Sequence, residues 1–294
     1  MRRKLSCCLA AALLLALLAG CGNPSAAQTG SPTPDPLVED TTPVETVPET
    51  TLKPTLEPTP KPTPEPTPTP LPWPVYEFGA PVEESEPVPD DSFFENAVFL
   101  GDSRTEGLEL FGGLKYGTYY WARGMNVFRV DDEKYKIVSI DGEDFTLVGA
   151  LGQRSFDSVY IMIGVNELGY PAESYESGLS NLVEEVLAAQ PEAVVYLQIM
   201  PPLNDAMCRA NGLAGYINND NLQKFNEAIQ RVATEKKVAL LNTAEVYAGE
   251  DGQLPRELAF DGCHFAVTAY TPWADYLRSH VMDRERYFYS REQA

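Results

Sequence analysis

Beyond residue 90 the chain alternates two kinds of apolar pattern. Five short runs, at 97–100, 118–122, 158–163, 193–199 and 238–241, are almost continuously hydrophobic. Runs of that length and character suit parallel strands buried on both faces. Between the third and fourth, Leu179, Leu182, Val183, Val186 and Leu187 recur at helical spacing, and Pro191 stops the pattern. Between the fourth and fifth, Leu222, Phe225, Ile229 and Val232 trace a second helical face. A last helix is predicted with Thr268 and Thr271 as caps and with Trp273, Leu277 and Val281 facing inward. The stretches 136–140 and 145–148 flank Asp141-Gly142 and predict an inserted hairpin. Strands alternating with helices imply a doubly wound, three-layer α/β/α sandwich around a five-stranded parallel sheet. No internal repeat is visible.

Upstream the pattern changes twice. Met1-Arg-Arg-Lys4 is a basic start, followed by an apolar run from Leu9 to Ala19, too short to span a bilayer comfortably and typical of a secretory signal. Leu18-Ala19-Gly20-Cys21 resembles a bacterial lipobox. That resemblance implies lipid transfer to Cys21, cleavage before it and a stable acyl anchor. Of the 25 prolines, 19 fall between Pro24 and Pro89, in a segment poor in large apolar residues. Such a segment is too polar to repay the entropy of folding and is predicted to be an extended polyproline spacer, rising about 3.1 Å per residue. The expected organisation is a lipoprotein signal at 1–20, a lipid-anchored stalk at 21–90 and one folded domain at 91–294.

Charge and composition narrow the partners. The chain carries 43 acidic and 22 basic residues, a formal charge of −21. A field of that sign repels nucleic acid and favours neutral or cationic partners. Two histidines and scattered cysteines make a multi-ligand metal site improbable, and neither a metal nor an organic cofactor is expected.

The candidate chemistry lies at two distant places. Gly101-Asp102-Ser103 follows the first strand and precedes a short helical pattern at 104–111. A serine there projects from a strand's carboxyl end, with a helix amino terminus behind it that favours developing negative charge. Far downstream, Asp261-Gly262-Cys263-His264 places a carboxylate three residues before one of the two histidines. On a loop, that spacing lets Asp261 accept the imidazole Nδ1–H while Nε2 faces outward, which stabilises the imidazolium formed when a serine loses its proton. His280, on the last helical pattern, has no comparable neighbour.

With these blocks in view, residues 93–283 resemble the SGNH, or GDSL-type, hydrolase family. Ser103 matches the nucleophile block, Gly124 in Ala122-Arg123-Gly124-Met125-Asn126 the glycine block, Asn166 in Gly164-Val165-Asn166-Glu167 the asparagine block, and Asp261 with His264 the Asp-x-x-His block. The resemblance implies a catalytic triad of Ser103, His264 and Asp261. It also implies an oxyanion hole made by the backbone N–H groups of Ser103 and Gly124 and the side-chain amide of Asn166. The family's flavodoxin-like strand order, 2-1-3-4-5, would flank Ser103 with Gly124 on one side and Asn166 on the other, at the reversal point where such sheets bind ligands.

Some features depart from the family or remain open. Arg104 stands where the family has leucine, either contacting substrate or solvated at the helix start, and Glu167 replaces the usual aspartate. Gly117 competes with Gly124 for the glycine block. Asp102 is expected to shape the turn rather than join the triad. Cys208 and Cys263 are either bridged or two reduced core residues, and Tyr119, Tyr120, Trp121 and Tyr170 either stack on sugar rings or belong to the core.

The expected function is an extracytoplasmic serine esterase, anchored through Cys21 on the outer face of the bacterial cytoplasmic membrane. It would hydrolyse acyl esters, acetyl foremost, on a glycan or an acylated small molecule. The alternatives are a glycan O-acetyltransferase fed by a membrane partner and a non-catalytic glycan-binding module.

Overall fold

A computed structural model describes residues 74–86 and 88–294. The leader, Cys21 and the stalk as far as residue 73 lie outside the described residues. Among those described, no helix is long and apolar enough to cross a membrane.

The elements follow in the order β1 (Ala97–Gly101), α1 (Ser103–Phe111), β2 (Thr118–Trp121), β3 (Val138–Ile140), β4 (Glu143–Phe145), α2 (Leu147–Leu151), β5 (Ser158–Met162), α3 (Ala172–Ala189), β6 (Val194–Gln198), α4 (Asp205–Ala210), α5 (Asn219–Lys236), β7 (Ala239–Leu241), α6 (Tyr270–Ser279) and α7 (Arg284–Gln293). Five strands form a parallel sheet ordered β2-β1-β5-β6-β7. This is the 2-1-3-4-5 order expected, and all five apolar runs supply its strands.

Alternation along each strand divides the interior in two. Val98, Leu100, Val159, Ile161, Val195 and Leu197 pack with α3 and α5 on one face. Phe99, Tyr160, Met162 and Tyr196 pack with α1, α6 and α7 on the other. On that second face Tyr119, Phe99, Tyr160 and Tyr196 are register neighbours on four adjacent strands. Their rings stack successively at centroid distances of 4.8, 4.8 and 4.4 Å. Such a ladder adds about 0.5–1.5 kcal/mol per pair beyond area burial.

Four expectations require correction. Tyr76, Phe78 and Val82, assigned to the stalk, are buried in the core. There Val82 N–H donates to Leu240 O at 2.8 Å and Pro81 bridges Leu240, so the segment covers the open edge of β7. The domain therefore begins before residue 91. The hairpin exists, but its second arm is Glu143–Phe145 rather than 145–148. Asp141 (φ 52°) and Gly142 (φ 87°) both take the left-handed conformation that a tight two-residue turn demands, which brings the second arm in at once. Thr146 then caps α2 by accepting from Gly149 N–H.

The helix expected to be last, α6, is followed by α7, and it starts from a 3-10 turn, Val267–Ala269, so neither Thr268 nor Thr271 caps it. It ends at Ser279, leaving Val281 beyond it while Trp273 and Leu277 are fully buried. His280 sits at that helix end, stacked on Tyr276 at 3.8 Å.

Candidate active site

Each part of the site is set by a local backbone requirement at a carboxyl strand end. Gly101 closes β1 where an added Cβ would run into Thr105 Oγ1 and meet the Met162 carbonyl oxygen at 2.7 Å. The absence of a side chain lets α1 start immediately. Asp102 caps that helix, accepting from Arg104 N–H at 2.8 Å, and is buried. Burial raises its carboxyl, against the pull of the Arg104 amide and guanidinium. Its role in the turn is as expected.

The second block is a turn that a glycine makes possible. At Gly262 (φ +100°) a Cβ would come within 2.5 Å of Cys208 N and 2.7 Å of Asn204 O. The Gly262 carbonyl accepts from Asn204 N–H at 2.8 Å, which pins the turn to the start of α4. Asp261 Oδ1 then accepts from the N–H groups of Cys263 (2.8 Å) and His264 (2.7 Å), leaving Oδ2 2.8 Å from His264 Nδ1. Partial burial raises the Asp261 carboxyl, but these hydrogen bonds and the imidazole outweigh it and the net shift is downward. On the other side of the ring, His264 Nε2 lies 3.0 Å from Ser103 Oγ. Residues separated by 161 positions thus meet in one chain of hydrogen bonds.

Ser103, Gly124, Asn166 and His264 line a single cavity of about 720 Å³. Gly124 adopts φ +73° and a Cβ there would meet nothing within 4 Å, so its backbone faces open space. Gly117 instead packs against Phe99 and is absent from the cavity lining, which removes the competitor. Asn166 follows Gly164, whose φ of +150° and contact with Tyr175 and Met200 exclude a side chain. The Asn166 Nδ2 donates to Met125 O at 2.9 Å and, at 3.3 Å, to Asp102 Oδ2. Its neighbour Glu167 is fully buried, and one carboxylate oxygen accepts from Val127 N–H at 2.7 Å. Residues 166 and 167 therefore hold the Gly124 loop from both sides, at Met125 and Val127. Burial pushes the Glu167 carboxyl up to about 8, with the nearby Asp102 charge adding to the rise.

Other residues fall differently from expectation. Arg104 neither lines the cavity nor reaches solvent: it is 1% exposed, donates to Cys263 O at 2.8 Å and stacks over Phe265 at 4.9 Å, behind that ring of the cavity wall. It lies under the histidine loop, with Nε and Nη1 unpartnered among the described residues. Cys208 and Cys263 are buried free thiols rather than a disulfide. Tyr120 is core, Tyr119 belongs to the aromatic ladder and Trp121 donates to Glu109, so none of these three lines the cavity. Tyr170 is exposed but also outside it.

The cavity walls were not anticipated. Ser103, Glu106, Gly107, Leu110 and Phe111 face it from α1, and Phe260, Phe265, Val267 and Tyr270 from the histidine loop and α6. The first set follows the i, i+3, i+4, i+7, i+8 stripe of a helix, a signal available once Ser103 is taken as the reference. At the rim Arg123 pairs bidentately with Glu106, both contacts at 2.6 Å, and holds that carboxyl below the usual range. A separate groove of about 440 Å³ beside α5 contains no nucleophile or imidazole. Among the described residues, no three His, Cys, Asp or Glu side chains converge as metal ligands.

A parallel sheet carrying a Ser–His–Asp relay at its carboxyl edge defines an α/β serine hydrolase. Residues 99–271 match the model of the GDSL-like lipase/acylhydrolase family, and the chain belongs to that family as an SGNH-type serine hydrolase. No curated protein matches the sequence. Among solved structures, a Streptococcus pneumonia protein provisionally named a platelet activating factor is 23% identical, covering 63% of this chain and 83% of its own, with a TM-score of 0.50. A GDSL-like lipase from Bacteroides thetaiotaomicron is 17% identical over 63% of this chain and 86% of its own, with a TM-score of 0.47. The acetyl xylan esterase AlAXEase is 16% identical over 63% and 99%, with a TM-score of 0.46. At these identities the likeness is one of fold.

Proposed function

We propose that the domain is an extracytoplasmic esterase that hydrolyses acyl esters, acetyl foremost, on a glycan or another neutral alcohol. The observation that carries this reading is the unbroken Ser103–His264–Asp261 hydrogen-bond chain opening into the cavity.

In this reading Ser103 Oγ attacks the ester carbonyl while its proton passes to His264 Nε2. Asp261 Oδ2 holds the Nδ1 proton and stabilises the imidazolium. The carbonyl electrons move onto oxygen, which the N–H groups of Ser103 and Gly124 and the Asn166 amide receive. For Asn166, the 3.3 Å contact to Asp102 is the long one that the oxyanion replaces, while the Met125 contact keeps the amide oriented. The leaving alkoxide takes the proton from Nε2, and the C–O bond of the ester breaks to leave an acyl-serine. A water then gives its proton to Nε2, attacks the acyl carbon and releases the acid and the Ser103 hydroxyl.

The purified protein is expected to turn over p-nitrophenyl acetate. Asn166→Ala should lower kcat by about 10²–10³-fold in a domain that still folds, because a preorganised donor acts on charge that exists only in the transition state. An unaltered kcat in the folded variant removes Asn166 from the oxyanion hole.

The location rests on the basic start, the short apolar run and the lipobox-like Leu18-Ala19-Gly20-Cys21. A diacylated cysteine gives the stable anchoring that a single chain does not. In bacterial cells Cys21→Ser should move the protein from the membrane fraction to the soluble extracytoplasmic fraction. Equal membrane retention of both forms contradicts the anchor.

A further inference from the structure

Two exposed aromatic side chains outside the cavity, Phe128 and Tyr170, follow the segments that bring Gly124 and Asn166 to it, and a third, Tyr216, lies on the connection between α4 and α5. Phe128, Tyr170 and Tyr216 are 43%, 54% and 49% exposed. The Phe128 and Tyr170 ring centroids lie 5.1 Å apart at 46°. Tyr216 lies against the backbone of Gly169, where an added Cβ would meet its ring carbons at 3.1–3.2 Å. One glycine therefore seats the third ring against the backbone that leads into Tyr170.

The backbones beneath these rings are anchored. Phe128 N–H donates to Asn126 Oδ1 at 3.1 Å, Tyr170 N–H to Glu167 O at 2.7 Å, and Asn221 Nδ2 to Tyr216 O at 3.0 Å. Phe128 and Val127 also press on Gly178 of α3, where a Cβ would come within 3.2 and 2.6 Å of them. Exposed aromatic side chains grouped on an anchored backbone leave apolar surface in water at a cost in free energy, a mark of a binding surface.

Position ties this surface to the catalytic cavity. Phe128 lies four residues after Gly124 and Tyr170 four after Asn166. The chain limits each Cα–Cα separation to about 14 Å. The rings sit on the α3 side of the sheet, whereas Leu110, Phe111 and Val267 wall the cavity from the α1 and α6 side. Gly124 and Asn166 thus join the segments bearing Phe128 and Tyr170 to the cavity of Ser103.

We propose that Phe128, Tyr170 and Tyr216 form a stacking platform for a neutral polysaccharide chain, and that this chain carries the ester presented to Ser103. The proposal rests on the esterase reading and names the alcohol side of its substrate. Pyranose rings have flat C–H faces that lie on aromatic rings, and two of these rings bear hydroxyls able to bond sugar hydroxyls.

Other partners fit less well. Phe128 also walls a cleft of about 470 Å³ that contains Asp131, Asn181 and Glu185. Those acceptors and amide suit sugar hydroxyls and disfavour an acyl chain. The acidic balance of the chain repels polyanions.

Binding and turnover test this separately. In native gels, the full chain carrying Ser103→Ala should be retarded by at least one soluble neutral polysaccharide among β-1,4-glucan, mannan, xylan and N-acetylglucosamine polymers. Adding Phe128→Ala or Tyr170→Ala should abolish the retardation at unchanged melting temperature, and Tyr170→Trp should restore it. With Ser103 intact, Tyr170→Ala should lower the ratio of kcat/KM on the acetylated form of that polysaccharide to kcat/KM on p-nitrophenyl acetate by at least tenfold, through KM.

Retardation by none of the four polymers, or retardation indifferent to the aromatic substitutions, overturns the platform. So does binding of phospholipid vesicles in place of sugar when that binding is lost in the same variants. Absence of Ser103-dependent hydrolysis overturns the esterase reading instead and leaves the gel result to be read on its own.

Discussion

Ser103→Ala is expected to lower kcat on p-nitrophenyl acetate by about 10⁶-fold, and His264→Ala by a similar factor, because the two act as one unit and removing either disables both. The double variant should therefore be scarcely worse than either single one. Asp261→Asn should cost about 10⁴-fold, since an amide in place of the carboxylate turns the imidazole to the wrong tautomer. Here the penalty has an added source. Asp261 Oδ1 accepts the Cys263 and His264 amides, so the same carboxylate also shapes the turn on which the histidine stands. Steady-state kinetics with active-site titration checks the series. If Ser103→Ala retained more than about one part in a hundred of the activity, the hydrolysis would not pass through that hydroxyl.

Glu167→Gln is expected to flatten the dependence of stability on pH and to leave the variant the more stable protein in alkaline solution. The Glu167 carboxyl is held in the folded protein at about 8 by burial, against an ordinary value of 4.5. Below pH 4.5 both the folded and unfolded forms are protonated and nothing is gained or lost. Between pH 4.5 and 8 the unfolded chain releases the proton while the folded one retains it, so stability falls as pH rises; above 8 the penalty is complete. A shift of that size corresponds to several kcal/mol, at about 1.4 kcal/mol per pKa unit.

Glutamine keeps an oxygen that can accept Val127 N–H, yet carries no charge to bury. Urea unfolding midpoints of the two proteins should nearly coincide at pH 4.5, separate as pH rises to about 8 and hold a constant gap above it. Parallel curves over that range would show that Glu167 is ionised in the folded state at neutral pH.

The site was legible where chemistry and local backbone agree. The Asp261–His264 spacing reads as a hydrogen-bonded turn because both groups lie on one loop, and Ser103 reads as a strand-end nucleophile because the glycine, the cap and the helix are consecutive. Arg104 shows the opposite. An arginine at a helix start is ordinarily solvated, and nothing nearby in sequence announces that the loop 159 positions onward covers it. Tyr119, Tyr120 and Trp121 alternate around a strand, so at most every second one faces any given side. Which side meets ligand depends on the helix packed over it.

The amino-acid sequence by itself determined the alternation of strands and helices, the Asp261–His264 spacing on one loop, the placement of Ser103 between a strand and a helix, and the acidic balance of the chain. Each of these follows from periodicity, composition or contacts a few residues apart. The tertiary structure alone decided that Tyr76, Phe78 and Val82 complete the core, that Glu167 and Asn166 clamp the Gly124 loop, that α1 and α6 wall the cavity of Ser103, and that Phe128 meets Tyr170. Those features join segments that are distant along the chain, and the free energy that brings them together comes from burying shared surface, which no local pattern records.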